Sequence, residues 1–448
     1  VNEASPRPVF PPLWLAPRGI WALFACGIVF AVASVAPLAL PVAVAFTAIF
    51  AALVIVDVSI GPSAKRFSIA RRPVERASLR RAFTLDYRIV NRCAADIRVG
   101  ILETPSPALT FARDVIVARI PARSSASVEQ PVLAIERGET ALGTIYVWVE
   151  NRIGVLRRRF AIAAPEAVRV YPDMSGVQEY GTLARRSTLV DAGLRRLRLR
   201  GVGTDFESVR DYASGDDFRR IEWKATARRG RLMVAQHETE RSQNVIIALD
   251  CGRLMTPRIG LQRKFDYALT AALSAARIAE AADDHVGLIA FAAQPLLNIR
   301  PRRGKAHVAA LTASAYGLQP RLEEPDYERV FAELKTSYSK RSLIVLFTDM
   351  FDPAASEAVL SALRVLVPRH VVMCVLMNDE AIASALAAAP ATPREAYRAG
   401  VAMRLADERA SAITHLRSRG IIVVDAPAAK LTISLLDAYL DVKARALI

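Results

Sequence analysis

Hydrophobic positions along the chain follow three different patterns in succession. From Ile20 to Val56 no side chain is charged, and Trp21, Phe24, Ile28, Phe30, Leu38, Leu40, Phe46, Ile49, Phe50 and Ile55 leave neither half of the run with a polar face. A membrane-spanning helix needs about 17 to 25 residues, so this run is too long for one span and fits two short ones. Pro37 and Pro41 supply the break, because proline removes a backbone donor and disfavours helix in the residue before it. The turn is expected between Ala36 and Pro41. Absence of a polar face argues against a buried hairpin of a soluble protein. The second apolar run argues against a cleaved signal peptide, whose single core is about 7 to 15 residues long.

Between Lys65 and Pro165 the pattern becomes short and alternating, as in Phe83 to Val90 (FTLDYRIV), Arg98 to Leu102, Asp114 to Ile120 and Thr144 to Val149. Turn-forming pieces separate these runs, and the spacing predicts a small antiparallel β-sandwich-like domain. No catalytic set stands out in it. From Gln243 a third pattern begins. Asn244 to Asp250 (NVIIALD), Val286 to Phe291, Leu343 to Asp349, Val371 to Leu376 and Ile421 to Asp425 are continuous apolar runs, as expected of strands buried on both faces. Helix-like stretches lie between them; Phe265 to Ala282 places Phe265, Leu269, Leu273 and Ala276 at spacings of three and four. The alternation predicts a doubly wound α/β domain with a mostly parallel sheet, in which ligands meet the carboxyl ends of the strands. Asp250 and Asp349 would both stand there. The expected division is therefore a tail and hairpin over 1–64, a strand-rich domain over 65–170, a connecting segment over 171–242 and an α/β domain over 243–448.

Charge adds an orientation. Arg7 and Arg18 precede the apolar run, Lys65, Arg66, Arg71, Arg72 and Arg76 follow it, and the expected turn carries no basic residue. By the positive-inside rule both ends of the hairpin, and the rest of the chain, face the cytoplasm. The chain as a whole carries 60 Lys and Arg against 44 Asp and Glu, a net charge of +16. Such a balance admits a nucleic-acid partner. The basic residues are spread without interleaved aromatic platforms, however, and closeness to anionic lipid accounts for them equally well. The four cysteines, Cys26, Cys93, Cys251 and Cys374, are scattered and have no metal-like spacing, which suits a reducing compartment and buried thiols.

Between the two predicted domains lies GTDFESVRDYASGDDFRRIEWKATARRGRLMVAQHETE, Gly203 to Glu240. In GxDF, VRDY, GDDxRxIxW and ATARRGRLMV it resembles the DUF58 family. The resemblance covers the whole arrangement of hairpin, strand-rich region, signature and a von Willebrand factor A-like domain from Gln243. It implies a membrane-tethered protein of the bacterial cytoplasmic membrane that partners a MoxR-type AAA+ ATPase in assembly, maturation or stress-linked quality control of protein complexes. Read physically, Gly215 can supply the positive φ of a tight turn, Asp216 or Asp217 can cap a following helix, and Trp223 is expected as a buried anchor. Arg210, Arg219, Arg220 and Arg228 lie among acids and are expected to lock the segment down through bidentate pairs. The competing reading makes Arg210, Asp216, Asp217, Arg219, Trp223 and Arg228 a partner-docking surface.

The resemblance also implies a Mg²⁺ site, through a DxSxS motif after the first strand. The chain instead has Asp250-Cys251-Gly252-Arg253-Leu254, with neither serine, although Asp349 stands where the later aspartate would. Mg²⁺ demands near-octahedral oxygen donors. Two of them are missing, so the expectation is a degenerate, metal-free site and no cofactor, with Asp250 capping a helix or pairing with arginine. The threonine has no clear counterpart, because Glu323-Glu324-Pro325-Asp326 offers acids.

Other chemistries find little support. GxxxxGK[ST] is absent, so the chain is not expected to be the ATPase itself. His237-Glu238 lacks the second histidine of a zincin. Ser337-Tyr-Ser-Lys340 fits SxxK without its companion motifs. The sequence is best read as a non-enzymatic, membrane-tethered adaptor. The alternatives are a hydrolase using Ser337 and Lys340 or a degraded metal site, and a basic binder of polyanions or lipid.

Overall fold

The computed structural model describes residues 7–174, 205–213, 218, 221–238, 243–350, 353–445 and 447. The chain divides into two compact units, Val1–Asp173 and Met174–Ile448.

The first unit begins with a strand, β1 (Arg7–Leu15), where the sequence suggested a tail. Helices α1 (Pro17–Val35) and α2 (Leu40–Ile60) follow, joined by one 3-10 turn at Pro37–Ala39, where the two prolines predicted a break. Both helices are long and apolar enough to cross a membrane. Their buried positions are mostly small: Cys26, Ala33 and Ala43, of the kind that lets two helix backbones approach closely, and Gly19, where a Cβ would lie 2.4 Å from the carbonyl of Val155. Trp21, Phe24, Ile28, Val42, Ile49 and Ile55 all point outward. The hydroxyls of Ser34, Thr47 and Ser59 donate to carbonyls of their own helix, as an apolar solvent requires of polar groups.

Nine more strands complete this unit: β2 (Phe67–Arg71), β3 (Arg76–Ser78), β4 (Ala82–Asn91), β5 (Ile97–Glu103), β6 (Leu109–Phe111), β7 (Ile116–Ile120), β8 (Ser125–Ala134), β9 (Gly138–Glu150) and β10 (Leu156–Tyr171). One sheet runs β1-β10-β9-β5-β7, with β3 on β10; the other runs β2-β4-β8-β6. Only β3 pairs in parallel. Period-two alternation explains the packing: in β4, Leu85, Tyr87 and Ile89 are fully buried, and they meet Val99, Ile145, Val147 and Ile162 of the other sheet in one core. At Pro165, which has no amide hydrogen to give, the β9–β10 register shifts.

The hairpin is fixed to this unit at its base. Asp57, the first acid after the charge-free run, is buried and accepts the backbone N–H groups of Val155 at 2.9 Å and Leu156 at 2.6 Å. Arg158 donates to the carbonyl of Val58, and the amide of Ala16 donates to the carbonyl of Val155 at 2.8 Å. The β9–β10 turn thus sits against the ends of both helices. It closes through an Asn151 side chain that accepts from Ile153 and Gly154, the latter at φ 68°, a conformation glycine adopts without strain.

The second unit starts with a two-stranded ribbon, β11 (Asp205–Asp211) and β12 (Met233–Glu238), with α3 (Trp223–Arg229) between them. The body that follows comprises β13 (Asn244–Asp250), the short pair β14 (Arg258–Ile259) and β15 (Gln262–Arg263), α4 (Lys264–Ala281), β16 (His285–Phe291), β17 (Pro295–Arg302), α5 (Lys305–Ala315), α6 (Tyr327–Ser337), β18 (Ser342–Phe347), α7 (Pro353–Leu363), β19 (Val371–Asn378), α8 (Glu380–Ala387), α9 (Pro393–Ser418), β20 (Ile422–Pro427) and α10 (Leu431–Ala444).

Its main sheet runs β17-β16-β13-β18-β19-β20, parallel except for the edge strand β17. In β13, Val245, Ile247 and Leu249 join a core with α4 and α10, while Ile246 and Ala248 join another with α6, α7 and α9. Two buried faces explain why these strands read as unbroken apolar runs.

Candidate functional site

Asp250 ends β13, and Asp349 follows β18, its hydrogen-bonded neighbour. Both therefore reach the carboxyl end of the parallel sheet, as their positions after apolar runs predicted. Neither is accessible; Asp250 is 0% and Asp349 1% exposed.

Asp250 is held by hydroxyls and a backbone amide. Its Oδ2 accepts from Tyr327 Oη at 2.6 Å and Thr348 Oγ1 at 2.7 Å, and its Oδ1 from Gly252 N at 2.6 Å. The two hydroxyl oxygens are 2.8 Å apart. Burial raises the pKa of Asp250 above the ordinary carboxylate range, against the opposing effect of these three donors. Burial, together with the neighbouring Asp250, pushes the Tyr327 phenol far above its usual value. The expected helix cap or arginine pair at Asp250 is not what forms.

The basic groups go to Asp349 instead. Lys264, the first residue of α4 and 1% exposed, places Nζ 2.7 Å from Asp349 Oδ2. Arg409 of α9 places Nη1 2.8 Å from Oδ1 and Nη2 2.8 Å from Asp425 at the end of the sheet. Burial works against the charge of Arg409, but Asp349 and Asp425 outweigh it and hold the guanidinium above its ordinary pKa. Cys374, completely enclosed nearby, has its thiol pushed up to about 12 by burial.

This donor set does not fit the Mg²⁺ that the resemblance implied. Each oxygen of Asp349 already meets a full positive charge, and a hard dication requires oxygen ligands. Gly252 leaves no room for the missing serine: a Cβ there would lie 2.7 Å from Pro325 Cδ, 2.9 Å from Asp250 Oδ1 and 3.0 Å from the carbonyl of Glu323. Arg253 turns to the exposed Glu324 and away from the sheet end. Of the acids at 323–326, Asp326 caps α6 by accepting the amide of Arg329 at 3.0 Å. Thr348, directly before Asp349, directs its hydroxyl to Asp250, and the 323–326 segment supplies no threonine. Among the described residues no group of three or more His, Cys, Asp or Glu side chains is arranged to hold a metal.

In the signature, Asp216, Asp217 and Arg219 lie outside the described residues. Trp223 is not the buried anchor expected from its size: it opens α3 at 68% exposure, and Phe218 is equally exposed. The ribbon is anchored by aliphatic residues instead, Ile221, Met233 and Val234, all buried. Phe218 stacks on Tyr212 with ring centroids 5.4 Å apart. Arg228 and Arg229 are exposed in the last turn of α3, which Gly230 ends at φ 66°. Arg210, half-buried, donates to the carbonyl of Asp211 at 3.1 Å; Asp211 itself pairs with Arg231 at 3.0 Å. Trp223 and Arg228 are thus both exposed on one short helix, at its first and last turns.

Ser337 ends α6 and Lys340 lies in the turn beyond it, both exposed, as for an ordinary helix end. The strand-rich unit holds a buried set that the sequence did not reveal. Arg71 pairs with Glu103 at 2.8 Å and Glu166 at 2.9 Å, and Tyr87 donates to Glu103 at 2.7 Å. These residues come from four strands in two sheets, so no local spacing marks them.

Residues 208–386 match the family model described as "Protein of unknown function DUF58". A curated relative, the "Uncharacterized protein YeaD" of Bacillus subtilis (strain 168), is 44% identical over 43 residues, which is 10% of this chain and 11% of the relative. The match thus spans about a tenth of the relative's length. A solved structure, the ASH/PapD-like domain of human CEP192, aligns over 23% of this chain and 86% of its own at 8% identity and a TM-score of 0.18. That score is too low to bear on fold or function.

Proposed function

We propose that this chain, whose residues 208–386 match the DUF58 family, is a membrane-tethered adaptor whose second unit recruits a cytoplasmic AAA+ ATPase of the MoxR type, the partner that the family resemblance implies. The observation that carries this reading is the outer face of the signature ribbon. Trp223 and Phe218, each 68% exposed, and the exposed Arg228 and Arg229 all belong to this segment, the part of the chain that most specifically marks the family. Exposed aromatics and arginine are the residue types that dominate binding energy at interfaces. Trp223, a large aromatic held in water on a short helix, is the residue this reading turns on.

The sheet order β16-β13-β18-β19-β20 with helices on both faces supports a von Willebrand A-like reading of residues 243–448. In this reading the domain works without a metal, since its two sheet-end carboxylates are engaged by Tyr327, Thr348, Lys264 and Arg409. Partner contacts then come from surface side chains, and the protein acts by binding and not by catalysis. The two outward-apolar helices, fixed to the strand-rich unit through Asp57, would hold the adaptor at the membrane.

The test is capture of the partner from native membranes solubilised in detergent, using the full-length protein. Wild type should co-purify an AAA+ ATPase, and Trp223→Ala combined with Arg228→Glu should reduce its recovery about tenfold or more without changing the melting temperature. If wild type captures no AAA+ ATPase, and deleting neighbouring ATPases leaves its complexes unchanged, the proposal fails.

A further inference from the structure

The pairing registers of the strand-rich unit gather several connections at one end. Glu150 pairs with Arg98 and Ile97 with Ile120, so the β9–β10, β4–β5 and β7–β8 turns lie together. Phe67 pairs with Asn91 and Val90 with Ser125, which brings the connection from α2 to β2 to the same place. The helical hairpin stands on this end too, through the bonds of Asp57 and Ala16 to the β9–β10 turn.

Two of these turns flank a shallow, open recess of about 390 Å³, lined by Val90, Asn91, Arg92, Arg123, Ser124 and Ser125. Its floor is built firmly. The buried Asn91 side chain donates to the carbonyls of Ala95 at 3.0 Å and Pro121 at 2.8 Å and accepts from Cys93 N at 2.9 Å. The amide of Arg123 donates to the carbonyl of Cys93 at 3.1 Å. Arg123 itself sits at φ 51°, a left-handed conformation that a non-glycine residue keeps only where its surroundings impose it. Arg92 and Arg123 are both exposed at this end, as are Arg18, Lys65, Arg66 and Arg152. Asp96, in the β4–β5 turn, is already paired with Arg119 at 2.8 Å.

We propose that this recess binds the phosphate of an anionic phospholipid headgroup. Guanidinium groups recognise phosphate through paired N–H donors, the Ser125 hydroxyl adds a donor whereas that of Ser124 already donates to the carbonyl of Pro121 at 2.9 Å, and the negative leaflet surface favours each added basic residue beside it. The inference rests on reading α1 and α2 as a membrane hairpin, because that reading puts the recess at the headgroup level. It adds a specific lipid contact to what would otherwise be a plain anchor.

The experiment reconstitutes the full chain into nanodiscs of phosphatidylcholine alone, or of phosphatidylcholine with phosphatidylglycerol, and counts retained lipids by native mass spectrometry. Wild type should keep phosphatidylglycerol in preference to phosphatidylcholine. Arg92→Gln with Arg123→Asn, the latter tolerant of positive φ, should weaken that retention about tenfold. Arg81→Gln with Arg113→Gln removes the same charge at the opposite end of the sheets and should leave retention unchanged. Equal retention of the two lipids by a properly inserted wild type overturns this inference and spares the anchor. So does stabilisation of detergent-solubilised wild type by inorganic phosphate without any preference for the anionic lipid. Failure to insert into either bilayer overturns both.

Discussion

Lys264 places a fully buried ammonium group against Asp349 at the carboxyl end of the parallel sheet, where the family resemblance implied a dication. Removing Lys264 frees one oxygen of Asp349 while Arg409 still holds the other, so the cost is that of one charge-assisted hydrogen bond, about 1.5 to 3 kcal/mol. Lys264→Met nearly conserves volume, so its destabilisation should fall in that range, read as a lower urea midpoint with an unchanged slope; a midpoint equal to wild type would show that the pair contributes nothing. Both acids of this site were legible from the sequence, because each ends an apolar run and strand ends in parallel sheets converge. Lys264, Tyr327 and Arg409 were not. They arrive from three helices far apart in the chain, and periodicity reports which face of an element is buried but not which distant side chain meets it. Trp223 misled for a related reason: its apolar bulk suggested burial, while the ribbon buries Ile221, Met233 and Val234 instead.

At the scale of elements, the turn after β13 shows how backbone placement limits chemistry. Restoring the motif by Gly252→Ser would press a Cβ against Pro325 and the carbonyl of Glu323. Overpacking of this kind costs about 1 to 3 kcal/mol. The variant should melt lower than wild type and show no Mg²⁺-dependent rise in melting temperature, whereas a rise on adding Mg²⁺ would contradict the donor arrangement described for Asp250 and Asp349. The strands and helices of the second unit were legible in outline, since burial on both faces makes unbroken apolar runs and helices show a three-to-four spacing. The strand Arg7–Leu15 was not. Its sequence, RPVFPPLWL, is rich in proline and lacks strict alternation, and it becomes a strand by pairing with β10 at the sheet edge, where proline is tolerated. Asp57 was hidden in a similar way. As a lone acid after an apolar run it marks only the end of a span, and its work of accepting the β9–β10 turn depends on residues about a hundred positions later.

For the whole molecule, the apolar hairpin and the net charge of +16 belong to one picture: two helices with large apolar side chains on the outside and a basic rim at their base. The proposal to be tested is that the hairpin crosses a membrane and returns, with the chain after it on the basic side. The four native cysteines are buried, so single introduced cysteines can report topology. Leu38 in the helical turn is 96% exposed and Leu322 in the second unit 84%. The decisive measurement is labelling of Leu38→Cys and Leu322→Cys by a membrane-impermeant maleimide, in intact and in permeabilised cells. In intact cells the account predicts labelling at position 38 and none at 322, with both labelled once the membrane is opened; labelling of 322 in intact cells, or protection of 38 that ends only on permeabilisation, would contradict it.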